Sequence, residues 1–194
     1  MKSLMGTIIS FNLGLILIFI SIFTFSCESL GIWDEEEIIP FEIGDRLYFS
    51  LQDINQNSSS YGDLIGPQDY NGKVVFIYFT SNETWDTCVD RFGHLYEIFE
   101  DKIDQNTGVS NAILIGVGKN NSIPITEILA DNKVTPWVKD ESGNKTWDKF
   151  DAINRDLFII DKFGILHSKE NLTDIPNEYF YMGISSTIDQ LINQ

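Results

Sequence analysis

The sequence predicts an α/β domain in which a mixed β-sheet carries helices on both faces, and three observations predict it. Val74 to Phe79, within NGKVVFIYFT, is a continuous apolar, β-branched and aromatic run, the pattern of a strand buried on both faces. Val89, Phe92, Leu95, Tyr96, Phe99 and Ile103 then recur at three- and four-residue spacing, which is helical. A second apolar run, VSNAILIGVG, ends in glycines, so strands and helices alternate along the chain.

The first residues stand apart from that pattern. Lys2 precedes IISFNLGLILIFISIFTF, Ile8 to Phe25, which has no charge and reads as a signal-peptide hydrophobic region or a membrane anchor. It closes on TFSC, with the small Ser26 directly before Cys27, as in signals cut before a cysteine that is then acylated. Thr24 and Phe25 depart from the usual letters of such a signal. Residues 1–27 are therefore expected to be a lipoprotein signal, with Cys27 as the lipidation site, or an uncleaved anchor. Residues 28–42 follow as a tether whose acidic run, Asp34 to Glu37, self-repels and stays solvated. Both readings place the domain, residues 43–194, outside the cytoplasm, tied to a membrane.

Within the domain, DRLYFSLQD from Asp45 alternates, with Leu47, Phe49 and Leu51 on one face of a half-buried strand. INQNSSSYGD is turn chemistry. The helix after Val74–Phe79 is expected to start near Thr84 to Asp86, both capping residues, and to run about four turns. A short helix is expected from Pro124, another within NKTWDKFDAI, a strand, tight turn and strand in DLFIIDKFGILHS, and a closing helix in GISSTIDQLINQ with Ile184, Ile188, Leu191 and Ile192 on one side.

Charge excludes one class of partner. Among 194 residues, 29 are acidic and 13 basic, giving a formal net charge of -16. Nucleic-acid affinity comes largely from lysine and arginine neutralising phosphates, so no nucleic-acid partner is expected. Beyond Cys27 the only cysteine is Cys88, and with His94 and His167 it shows no ligand spacing, so neither an internal disulfide nor a metal site is expected, and no cofactor.

Two stretches carry a family likeness. IGDRLYFSLQDINQNSSS, followed by PQDYNGKVVFIYFT, resembles the opening of thioredoxin-like redoxins, the thiol oxidoreductases and peroxidases. TPWVKDESGNKTWDKFDAINRDLFIIDKFGIL is similar to the N-terminal domain of selenoprotein P. The likeness spans Ile43 to about Ile192 and implies a thioredoxin-like fold. It also implies a redox site, because the family places a cysteine or selenocysteine three residues before a second cysteine. By register Cys88 matches the second position and Trp85 the first. The family's proline before the strand LFIID is absent too, its place taken near Arg155 and Asp156.

Two function classes follow. In one, Cys88 is an exposed thiol that alone carries a thiol-dependent oxidoreductase or peroxidase reaction, with an external thiol or a partner-protein disulfide completing the exchange. The helix start favours its thiolate, Asp86 and Asp90 disfavour it, and Arg91 offsets them. In the other, catalysis is lost and the groove beside Thr84 to Cys88 binds a partner. Because UGA is read as Trp in some decoding tables, Trp85 can also record a selenocysteine, which would restore the pair. His94, six residues after Cys88, turns away from the sulfur on a helix. Trp137 and Trp147 are read as packing residues.

Overall fold

The computed structural model describes residues 39–81, 85–119, 132–140, 143, 145–174 and 178–194. The signal or anchor, most of the tether, Thr84 and the helix expected from Pro124 lie outside the described residues, as do the side chains of Trp85 and Asp86. Among the described residues no helix is long and apolar enough to cross a membrane.

The chain order is β1 (Leu51–Gln52), β2 (Leu64–Ile65), a 3-10 turn (Pro67–Tyr70), β3 (Val74–Thr80), α1 (Trp85–Asp101), β4 (Ala112–Lys119), β5 (Trp137–Asp140), α2 (Lys145–Lys149), β6 (Asp156–Ile160), β7 (Leu166–Asn171) and α3 (Glu178–Ile192). Five strands form one sheet in the order β5-β4-β3-β6-β7. β3 pairs parallel with β4, β4 parallel with β5, and β6 antiparallel with both β3 and β7. The continuous apolar run thus takes the centre, and every residue of β3 is buried.

Side chains alternate across a strand, so β3 feeds two cores. Val74, Phe76 and Tyr78 face a cluster built with Phe92, Leu95 and Phe99 of α1 and Ile184, Ile188 and Leu191 of α3. Val75, Ile77 and Phe79 face Leu47, Phe49, Trp147, Phe150 and Phe158. Helices therefore lie on both faces, α1 and α3 on one and the short α2 on the other. Gly116 of β4 lies under Trp137, where a Cβ would collide with the indole ring.

Several expectations change in detail. The stretch from Asp45 keeps its alternation, with Leu47 and Phe49 buried, but only Leu51 and Gln52 form a ladder, because their partner β2 is two residues long. Leu51 itself is half-buried. Upstream, Arg46 makes an isolated bridge to Ile165, and Phe41 donates its N–H to the Lys149 carbonyl at 2.8 Å. The helix in NKTWDKFDAI lasts only from Lys145 to Lys149, and Asp151 just beyond it has a φ of 43°, outside helical geometry. α3 begins at Glu178, ahead of the expected Gly183. β5 was not foreseen: WVKD is short and lacks period-two alternation. It is placed instead by Asp53, fully buried, whose Oδ1 accepts the Trp137 N–H at 3.1 Å.

Candidate functional site

The C-terminal end of β3, the start of α1 and the loop 153–155 leading into β6 meet at one place. Three backbone and side-chain contacts close it. The Ser81 N–H donates to Asn154 Oδ1 at 2.8 Å, the Arg155 N–H donates to the Phe79 carbonyl at 2.8 Å, and the Cys88 thiol donates to Asn154 Oδ1 at 3.8 Å.

The loop itself is bent and pinned. Arg155 has a φ of 73°, a left-handed conformation that a residue with a Cβ adopts only when its surroundings hold it there. Asp156 supplies that hold. Its Oδ2 accepts the Ile153 N–H at 2.9 Å and lies 3.3 Å from Lys169 Nζ, while Oδ1 accepts from Asn171 Nδ2 at 2.7 Å. Asn171 Nδ2 also reaches the Asn154 carbonyl at 3.2 Å, and Arg155 Nη1 reaches Thr173 Oγ1 at 3.3 Å. No cis peptide occurs among the described residues. Where the family likeness led to a proline, a carboxylate and two amides organise the loop, at the positions near Arg155 and Asp156 that the sequence indicated.

Cys88 is 1% exposed, which corrects the expectation of an exposed thiol. It sits in the first turn of α1 and, like Phe92 one turn on, it turns inward, because residues four apart share a helix face. Beneath that face is Tyr78. Its ring lies 6.2 Å from the Phe92 ring, and its side chain is fully buried. The Tyr78 Oη completes no hydrogen bond, and neither does the buried Thr80 Oγ1. Burial holds the Tyr78 hydroxyl far above its ordinary pKa; Cys88 is the next cause in the same direction, and Arg155 opposes them. Tyr78 therefore keeps its proton throughout the ordinary pH range.

The other residues singled out from the sequence are placed elsewhere. Arg91 donates through Nε to the Leu172 carbonyl at 3.1 Å and pairs with Asp90 at 3.3 Å, so its guanidinium is engaged by the segment just after β7 and by its own helix. Burial raises the Tyr181 hydroxyl of α3 above its usual range, and Arg91 is the largest opposing influence. His94 has Nδ1 3.3 Å from Glu97 Oε2 and stacks 4.7 Å from the Tyr181 ring, away from the thiol as its spacing indicated. Trp137 and Trp147 are both 3% exposed and pack, Trp147 edge-on to Phe79 at 5.3 Å. Tyr78 and Asn154 went unrecognised in the sequence. A tyrosine on the inward face of an otherwise apolar strand was the available signal for the first. For Asn154 there was none.

The comparisons agree on architecture. No family model matches the chain, and no curated relative matches it. Solved structures do. A Chlorobium tepidum protein named as a thiol:disulfide interchange protein DsbE matches with a TM-score of 0.60 at 14% identity, covering 78% of this chain and 99% of that one. The thioredoxin domain of a thiol-disulfide oxidoreductase from Bacteroides vulgatus matches at 0.55 and 13% identity, covering 76% and 99%. BsSco, a member of the Sco family of cytochrome c oxidase assembly proteins, matches at 0.56 and 12% identity, covering 80% and 98%. The fold is thioredoxin-like.

Proposed function

We propose that this is an extracytoplasmic redoxin, tied to a membrane through its N-terminal segment, in which Cys88 alone carries a thiol-dependent peroxidase reaction. The observation that carries this reading is the setting of the sulfur. In a core otherwise filled by apolar side chains, the thiol meets Asn154 Oδ1, with the Tyr78 hydroxyl on the buried side of the same helix face. A structural cysteine needs only apolar neighbours. Its burial also narrows the substrate, since a sulfur 1% exposed admits a hydroperoxide more readily than a protein disulfide.

The chemistry balances with an external thiol. The Cys88 sulfur attacks one peroxide oxygen, the S–O bond forms as the O–O bond breaks, and the thiol proton leaves with the departing oxygen as water or an alcohol. Sulfur is oxidised to sulfenic acid and the peroxide is reduced. One external thiol then displaces water to form a mixed disulfide, and a second releases Cys88 as thiol, leaving the external pair oxidised.

The test is peroxide consumption by the full-length protein with dithiothreitol as reductant. Turnover that disappears in Cys88→Ser supports the reading, and an inert wild type overturns it.

The burial of Cys88 favours a second reading, a thioredoxin-fold module that has lost catalysis and binds a partner beside the start of α1. It expects no sulfenic acid in the wild type and unchanged partner binding in Cys88→Ser. The resemblance to the selenoprotein P N-terminal domain adds a sharper form of the first reading, with selenocysteine at position 85. Intact-protein mass spectrometry together with the codon for residue 85 decides it. For the tether, acyl labelling of Cys27 and release into the soluble fraction by Cys27→Ser is the expected pattern.

A further inference from the structure

An unpaired hydroxyl deep in a core is costly, because the group gives up its water on burial and gains no partner in return. Tyr78 is such a case. It is fully buried, its Oη completes no hydrogen bond, and phenylalanine would fill the same space without the penalty. Its neighbours on that face are mostly apolar, with Phe92 6.2 Å away ring to ring. The polar group the hydroxyl approaches is Cys88, whose thiol proton is already committed to Asn154 Oδ1. In the thiol state the tyrosine proton therefore has only a thiol sulfur to turn to, a weak acceptor, and completes no full hydrogen bond.

Oxidation changes that. A sulfenic acid carries one more oxygen on Cys88, and that oxygen is a far better acceptor than a thiol sulfur. We infer that Tyr78 is the positioning residue of the Cys88 site: its buried hydroxyl donates to the oxygen that Cys88 gains from a hydroperoxide, and so holds the oxidised sulfur until an external thiol arrives. The inference rests on the reading of Cys88 as the oxidised group. The balance is that of the first step above: the peroxide supplies the oxygen and accepts the two electrons from sulfur, and Tyr78 donates a hydrogen bond without giving up its proton. Asn154 remains the acceptor on the other side, so the two side chains fix the direction of the S–O bond.

The experiment follows the lifetime of the Cys88 sulfenic acid in the full-length protein. Hydrogen peroxide is added, then removed with catalase, and aliquots are trapped with dimedone at intervals and counted by mass spectrometry. In wild type the sulfenic acid persists. In Tyr78→Phe its lifetime is expected to fall about tenfold, the scale of one hydrogen bond to a polar acceptor. The thermal midpoint is expected to hold or rise, because the orphan hydroxyl is gone. A merely structural hydroxyl would move the midpoint and leave the lifetime alone. Equal lifetimes in the two proteins overturn the inference and leave the redox reading standing. A wild type that forms no sulfenic acid overturns both. A Tyr78→Phe protein that fails to fold shows the hydroxyl to be needed by the fold itself, which also overturns the inference.

Discussion

The two faces of β3 are built from the same seven residues and are filled in different ways. Val75, Ile77 and Phe79 enter a core that is aromatic and closed: Phe79 contacts Trp147, Phe150 and Phe158 at ring distances of 5.1 to 5.3 Å. Val74, Phe76 and Tyr78 enter a core that is apolar in its middle and polar at its end, where Tyr78, Cys88 and Asn154 gather. The difference teaches where each kind of free energy goes. The first face spends apolar burial on stability, in contacts that interlock with little void. Each face carries a buried polar atom without a partner, Trp147 Nε1 on the first and the Tyr78 and Thr80 hydroxyls on the second, but only on the second does one of them lie beside a thiol.

The largest effect is expected at the thiol. Cys88→Ser removes peroxide turnover completely while leaving the denaturant midpoint close to wild type, since the hydroxyl can still donate to Asn154. Residual turnover in that variant would break the contrast between the faces. Next comes Phe79→Ala on the closed face, expected to cost about 3–5 kcal/mol in urea unfolding, the usual range for truncating a buried phenylalanine. Its sulfenic-acid yield per folded molecule should match wild type; a parallel loss would mean that the faces are coupled.

Gly116→Ala sharpens the comparison from the other side. The new methyl pushes Trp137 toward Phe92, whose rings now lie 5.1 Å apart, and so disturbs α1 from below. A loss of about 1–3 kcal/mol is expected from the overpacking, together with a slower Cys88 oxidation that Phe79→Ala does not show.

The smallest effect lies away from both faces. Asp104, fully exposed, accepts the N–H groups of Asn106 and Thr107, and these bonds hold its carboxyl below the ordinary range. A lowered folded-state value means that the carboxylate stabilises the turn above its unfolded pKa and loses that contribution as pH falls through the folded value. Asp104→Asn should therefore lower the midpoint slightly near pH 7 and converge on wild type as the pH falls through the lowered folded-state value. Neither condition should change Cys88.

Much of the fold was legible because its signals are local. The run Val74 to Phe79 needed no partner to be read as a central strand. Val89 to Ile103 declared a helix by spacing, and LFIIDKFGIL declared a hairpin by its apolar run and by Gly164, whose φ of 83° suits the turn. β5 was not legible, since four residues carry no period and their place depends on Asp53 and Asn55 reaching from far away in sequence; Asn55 Nδ2 bonds the Lys133 and Thr135 carbonyls at 3.0 and 2.7 Å. At the site, Cys88 was found by its position after a strand and before a helix. That it would be buried was not, because burial depends on where α1 rotates against β3.

By itself, the sequence determined the α/β layering, the central strand, the helix that follows it and the single domain thiol, since period and composition act within a few residues. Only the tertiary structure decided that the thiol points inward, that Asn154 accepts from it and that Tyr78 is left with an unpaired proton beneath it. Those facts arise where β3, α1 and the loop before β6 are brought together, and no spacing along one segment encodes a contact among three.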